Sequence, residues 1–315
     1  MMVKQYSLVL LLILVFGFQA DLNAQQDVQY TQYMYNTQIV NPAYAGSRGS
    51  LDFSALYRTQ WVGLDGAPET GTFTFNSPIG VAENMGIGMS IVMDRLGPAK
   101  ESNITVDYSY TINTSEDYKL AFGLKAGIDL LDVDFTLLNI FDEGDVFENN
   151  IDNRLQPQIG AGIYYYSNKF YAGLSVPNFL NTKHFDESEI GPTSAQTIAA
   201  ERLHYFFITG YVFDLNENLK FKPAVLTKLV SGSPLQVDLS ANLLINEKFT
   251  LGAAYRWSAA LSGMVGFQAT EGLFLGFAYD GETTDLSGFN DGSYEFFVRF
   301  EIFNKPERIL TPRFF

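Results

Sequence analysis

Apolar and polar residues alternate one by one along most of this chain. In Asn103–Asn113, Ile104, Val106, Tyr108, Tyr110 and Ile112 share one face, and Thr105, Asp107, Ser109 and Thr111 share the other. Further on, Leu235, Val237, Leu239, Ala241, Leu243 and Ile245 oppose Gln236, Asp238, Ser240 and Asn242. Leu273, Leu275, Phe277 and Tyr279 oppose Phe274, Gly276, Ala278 and Asp280; Tyr294, Phe296, Val298, Phe300 and Ile302 oppose Glu295, Phe297, Arg299 and Glu301. A period of two is the signature of a β-strand, whose successive side chains point to opposite sides. The pattern predicts strands at 51–59, 69–78, 84–94, 102–112, 118–131, 155–166, 169–177, 204–214, 219–229, 234–245, 249–257, 260–269, 273–281 and 293–303.

A soluble sandwich alternates in this way, and so does a membrane barrel with its apolar face turned to lipid. Segments of about ten residues fit tilted strands crossing a bilayer. Aromatics gather at segment ends, as in "IYYYSNKFY" and "YRWS", where interfacial girdles fall. Small residues recur on the polar face (Gly86, Gly88, Gly123, Gly127, Gly160, Gly162, Gly252, Gly266), as a crowded lumen favours. Connections also segregate. Every second one is a tight turn ("IGVAEN", "NTSED", "SNK", "NEN", "NEK", "TEG"), and all the long ones (Thr59–Pro68, Asp132–Arg154, Asn178–Leu203, Glu282–Gly292) belong to the other set. Outer-membrane barrels place short turns in the periplasm and long loops outside. The predicted fold is therefore all-β: a transmembrane outer-membrane β-barrel of about fourteen antiparallel strands.

The leader agrees. Lys4, the apolar run Leu8–Phe18 and the small residue Ala24 read as a secretory signal peptide over 1–24. The expected division is then an N-terminal periplasmic or luminal cap segment over 25–50 and the barrel over 51–315. Composition fits: 27 Phe, 18 Tyr and 27 Gly, with only 17% charged residues. The net charge of −15 argues against nucleic acid as a partner. The absence of cysteine excludes a disulfide framework.

Catalytic chemistry is thinly represented. The two histidines are His184 and His204, and no G-x-S-x-G, H-E-x-x-H or phosphate loop is present. His204, at a strand start near the outer rim, is the best general-base candidate, and nothing in the sequence gives it a partner. No catalytic, cofactor or metal residue is expected. The acidic loop 132–152, with Asp142, Glu143, Asp145 and Glu148, lacks EF-hand spacing and reads as a solvated surface loop. Ala195–Leu203, behind Thr193 or Ser194, suits a short helix in a binding or gating loop.

Charges of both signs fall on the polar faces: Asp52, Arg58, Asp107, Lys125, Asp129, Lys222, Lys228, Asp238, Arg256, Arg299 and Glu301. Internal ion pairs are expected there, since buried charges require partners. An arginine introduced at Ser240 should also be tolerated in the lumen. Ahead of the first strand, Tyr30, Tyr33, Met34 and Thr37 keep helical spacing until Asn41-Pro42 ends any helix. This stretch reads as a helical or irregular cap at the periplasmic end of the lumen. Tyr30, Tyr33, Asn36, Asn41, Pro42, Tyr44, Arg48, Arg58 and Trp61 are its candidate plug and interaction residues.

Here the chain resembles a family. "QYTQYMYNTQIVNPAYAGSRG" followed by "LYRTQWVGLDGAPETGTFTFNSPI", with the leader and the ending "PRFF", is similar to the PorP/SprF family of outer-membrane proteins from the type IX secretion and gliding system of Bacteroidetes. The resemblance implies a non-enzymatic barrel supporting the secretion or surface attachment of large adhesins through their C-terminal domains. The implied partners are outer-membrane lipid, those secreted adhesin domains, and periplasmic secretion-ring or linker proteins. No room for a peptidoglycan-binding domain follows the last strand, so a cell-wall link is expected to run through another protein. Asn41-Pro42-Ala43 also resembles an element in the N-terminal hatch of long-chain fatty-acid channels, which suggests a channel for hydrophobic or small solutes as the alternative.

Overall fold

The computed structural model describes residues 29–80, 83–137, 150–180, 203–231 and 233–302. Fourteen antiparallel strands form one closed sheet. They are β1 (Leu51–Thr59), β2 (Glu69–Ile79), β3 (Met85–Leu96), β4 (Ala99–Asn113), β5 (Lys119–Val133), β6 (Ile151–Tyr166) and β7 (Phe170–Val176). Then come β8 (His204–Tyr211, resuming as Phe213–Asn216), β9 (Leu219–Val230), β10 (Gln236–Ile245), β11 (Phe249–Arg256), β12 (Ala260–Gln268), β13 (Leu273–Glu282) and β14 (Ser293–Ile302). Each strand pairs with the next, and β14 pairs with β1 from Leu51↔Ile302 to Thr59↔Tyr294, so the ring has no open end. The break in β8 is local. Gly210 and Phe213, on either side of the break, keep one register against β9, and Pro223, which has no amide hydrogen to donate, falls opposite Tyr211 at its edge.

The alternation has the sense expected of a membrane barrel. Val106, Tyr108 and Tyr110 of β4 are exposed on the outer face, while Thr105, Asp107 and Ser109 are buried inside. The same holds for Leu239 against Asp238 and Ser240, and for Phe296 and Val298 against Glu295 and Arg299. The hydrophobic core accordingly lies inside the ring and not between two sheets. Aromatic girdles flank the outer face. At the short-turn end Tyr118 stacks on Tyr165 at 5.2 Å, and at the long-loop end Tyr279 meets Tyr294 at 5.2 Å. Strands β4 to β6 run to 15 or 16 residues and outreach their neighbours at the long-loop end. There Leu131, Val133 and Phe135 form a small apolar cluster of their own.

Candidate functional site: a lumen filled by its own N-terminal segment

Residues 29–50 run through the barrel. Gln29 Nε2 donates to Gln236 Oε1 (2.7 Å) at the long-loop end, and Ser50 Oγ donates to Glu301 Oε1 (3.2 Å) at the short-turn end. This corrects the expectation of a cap at the periplasmic end: the segment is a plug that begins near one mouth and finishes at the other. The reason is chemical. A buried irregular segment must satisfy its own backbone polar groups, and the lumen wall supplies partners along its whole height.

The sequence dictates the plug's local shape. After turns closed by Tyr35 N→Gln32 O (2.9 Å) and Asn36 N→Tyr33 O (3.1 Å), Thr37–Val40 make one helical turn, α1. Pro42 forces Asn41 into an extended conformation (φ −138°, ψ 106°), which ends α1. Asn41 then caps the 3₁₀ turn Pro42–Tyr44, its Oδ1 accepting from Ala43 N at 3.0 Å. Its Nδ2 donates to Ile163 O in β6 (3.0 Å).

Three sets of contacts fix the plug. Near the long-loop end the amides of Thr31 and Gln32 donate to the two oxygens of Glu295 (2.9 and 2.8 Å). Arg58, directly opposite Glu295 across the β1–β14 ladder, binds Glu295 at 3.1 Å and Asp280 at 2.8 Å. Arg58 also donates to Thr31 Oγ1 (3.0 Å), whose hydroxyl hydrogen goes to Asp280 (2.6 Å). All of these side chains are fully buried or nearly so. At mid-height the Tyr35 ring lies 5.3 Å from Phe297 and 5.0 Å from Phe274, with Arg299 and Lys222 each 5.8 Å from its centroid. Such aromatic and cation–π contacts contribute about 0.5–1.5 kcal/mol apiece. Tyr33 and Ser240 share a hydrogen bond of 3.0 Å. Toward the short-turn end Gln38 Nε2 reaches Phe75 O and Asp107 Oδ2, while the other oxygen of Asp107, Oδ1, is ion-paired to Lys125 at 3.0 Å. Ser175 donates to Val40 O, Ser109 to Ala45 O, and Asn76 accepts from Gly46 N. Arg48 binds Glu301 at 2.6 Å and lies 3.8 Å from Asp52.

The wall is recessed to admit the plug. A Cβ on Gly86 would stand 2.2 Å from Ala45 O, and one on Gly123 would stand 2.1 Å from Ala43 N. The small residues of the polar face therefore make room for the plug backbone. A water-filled pore would leave the lumen side chains accessible. Instead Arg58, Gln32, Asn41, Asn76, Asn242, Thr70 and Thr105 are all fully buried.

Of the residues singled out from sequence, Tyr30, Tyr33, Asn36, Asn41, Pro42 and Tyr44 are buried in the lumen. Tyr44 packs on Tyr164 at 5.8 Å, whereas the Asn36 side chain makes no cap to α1. Arg48 and Arg58 anchor opposite ends of the plug. Trp61 is set apart in the 60–68 connection at φ +46°, with Nε1 donating to Glu282 (2.8 Å) and its amide to Ser293 Oγ (3.2 Å). Phe274, Phe297, Tyr164, Tyr166, Tyr171, Asp280 and Glu295, not among those residues, also surround the plug. Aromatics on a polar face were the available signal. The charged positions expected inside are all buried inside, and ion pairs join Lys125 to Asp107 and Arg256 to Asp238 as well as those above. Ser240 is buried with its hydroxyl bonded to Tyr33, so an arginine there would have to displace that ring. His204 is buried at the start of β8, its ring 6.4 Å from that of Phe206. Among the described residues no cluster of three metal-ligating side chains occurs. His184, Asp142–Glu148, residues 195–202 and the leader lie outside the described residues.

A closed fourteen-stranded ring, apolar outside and filled by its own N-terminal segment, defines a plugged outer-membrane β-barrel, with the short turns facing the periplasm. The chain belongs to the PorP/SprF family of type IX secretion system membrane proteins, whose model matches residues 22–300. No curated protein matches it in sequence. Among solved structures it is similar to the Acinetobacter baumannii outer membrane protein Omp33 (10% identity, 80% of this chain and 99% of that one, TM-score 0.45). It is also similar to a Pseudomonas aeruginosa FadL homologue (12%, 85% and 93%, 0.46) and to the CymD monoaromatic hydrocarbon channel (10%, 89% and 93%, 0.49).

Proposed function

We propose that this protein is a non-enzymatic docking barrel of the type IX system. In this reading it supports secretion and surface attachment of large adhesins, or of other substrates with C-terminal domains, and contacts periplasmic secretion components. The observation that carries this is the filled lumen. A plug held by buried ion pairs and backbone hydrogen bonds suits a barrel whose work is done at its two faces. It does not suit an open solute path. The plug runs from the external mouth at Gln29 to the periplasmic mouth at Arg48, beyond which Gly49 is exposed.

The test is made in cells. Deleting 27–44 removes no strand of the ring, so the barrel should still insert. Surface display of the cell's C-terminal-domain proteins should fall, and envelope pull-downs on the deleted barrel should lose adhesin domains or periplasmic ring proteins that the intact barrel retains. Undiminished display together with unchanged pull-down partners would overturn the proposal.

A further inference from the structure

The outer face carries one feature that neither the plug nor the family accounts for. Arg95 and Lys100 are cross-strand partners at the tip of the β3–β4 hairpin, and both point outward. Below Arg95 the outward side chains of β3 are apolar: Met93, Ile91, Met89 and Ile87. Arg95 lies ten positions above Met85, the first residue of β3 at the short-turn end. At about 3.3 Å per residue and a tilt near 40°, that is roughly 25 Å, the height of an outward apolar band. The pair therefore stands where the outer leaflet's headgroups begin.

Like charges placed directly opposite each other destabilise a sheet, and the acids beside this pair lie across the neighbouring ladders and not in ion pairs with it. Its cross-strand neighbours are Glu69 beside Arg95 and Asp132 beside Lys100. Among the described residues neither cation forms an ion pair with them. Asp132 Oδ1 is occupied by the amide of Asn153 (2.6 Å). Asp134 accepts from Thr136 and from Asn150. The bonds from Thr136 are the chief cause holding its carboxyl below the usual range, and the Lys100 ammonium acts in the same direction. Space adjoins the cations on both sides. A cleft of about 280 Å³ lies between the 60–68 connection and Arg95, and one of about 200 Å³ is bordered by Arg95, Lys100, Asp132, Asp134 and Asp152. The connection is pinned there by Gly97 N→Gly66 O (3.0 Å).

We propose that Arg95 and Lys100 form a binding site for the phosphate of an outer-leaflet glycolipid headgroup, with the acyl chains lying along the apolar stripe of β3 and β4. A guanidinium and an ammonium side by side offer charge-assisted hydrogen bonds to one phosphate. The height of the pair favours a lipid over a soluble anion.

Native mass spectrometry of the purified full chain tests this, with bisphosphorylated lipid A, its dephosphorylated form and inorganic phosphate as probes. The wild type should retain phosphorylated lipid A. Arg95→Gln/Lys100→Gln should lower that retention about tenfold or more, Glu69→Gln should not, and Arg95→Lys should keep most of it. Heat-modifiable mobility verifies that each variant is folded. Equal retention by the double variant, or equal retention of dephosphorylated lipid A, overturns the site. Equal competition by millimolar inorganic phosphate overturns the lipid assignment.

Discussion

Replacing Glu295 with alanine removes the acceptor of two plug amides, those of Thr31 and Gln32, and leaves Arg58 with one of its two carboxylate partners, Asp280. Breaking a buried ion pair from one side costs about 3–5 kcal/mol. Glu295→Ala should therefore markedly lower the temperature at which the folded band is lost in heat-modifiability gels; an unchanged transition would mean the anchor is not stabilising. On β10 the two faces should respond differently. Leu239→Arg puts a charge in lipid near mid-height, a cost of about 2–4 kcal/mol. Ser240→Arg keeps the charge inside but expels the Tyr33 ring from its place, so a leaking barrel is expected there and an intact seal with Leu239→Arg. A silent Ser240→Arg barrel would contradict the packing around Tyr33. Much of this was legible at the residue scale. Arg58, Asp107, Lys125 and Glu301 were placed inside by parity alone. Which acid meets Arg58 is not legible in the same way, because that pairing depends on how strands far apart in sequence meet around the ring. Asp280 and Glu295 sit more than 220 positions from Arg58 and touch it only once β13, β14 and β1 are adjacent.

At the scale of elements, the period of two located all fourteen strands, with ends displaced by a few residues. The largest displacement, at β6, has a physical cause. Residues 151–154 rise above the membrane band, where alternation no longer separates lipid from lumen. The plug was harder to read. Helical spacing of its tyrosines suggested a longer helix than the four residues of α1, because the wall, and not the segment itself, supplies most of its hydrogen bonds. The wall's recesses give the element-scale test. Gly123→Ala places a methyl group where Ala43 N now lies and should dislodge Pro42–Tyr44. Gly263→Ala meets nothing within 4 Å and should be neutral. Single-channel recordings of the two variants check this: current through the Gly123 variant only is expected, and equal behaviour would show that the plug has slack at that point.

For the whole molecule, the segregation of long and short connections sets its orientation in the membrane. An epitope inserted within 142–150 or 186–193 should be reached by antibody on intact cells, and one at 216–218 should not. Labelling of 216–218 would invert the barrel. The deletion of 27–44 also takes on a different meaning now that the segment fills the lumen. It should open a pore whether the protein docks substrates or passes solutes, so the behaviour of the intact chain is what separates the two. The most direct measurement is steady conductance of the purified, full-length mature protein in a planar lipid bilayer, beside the 27–44 deletion. The account predicts a silent intact barrel and an open, ion-conducting deletion. A steady open current through the intact protein, or a deletion as silent as the parent, would contradict it.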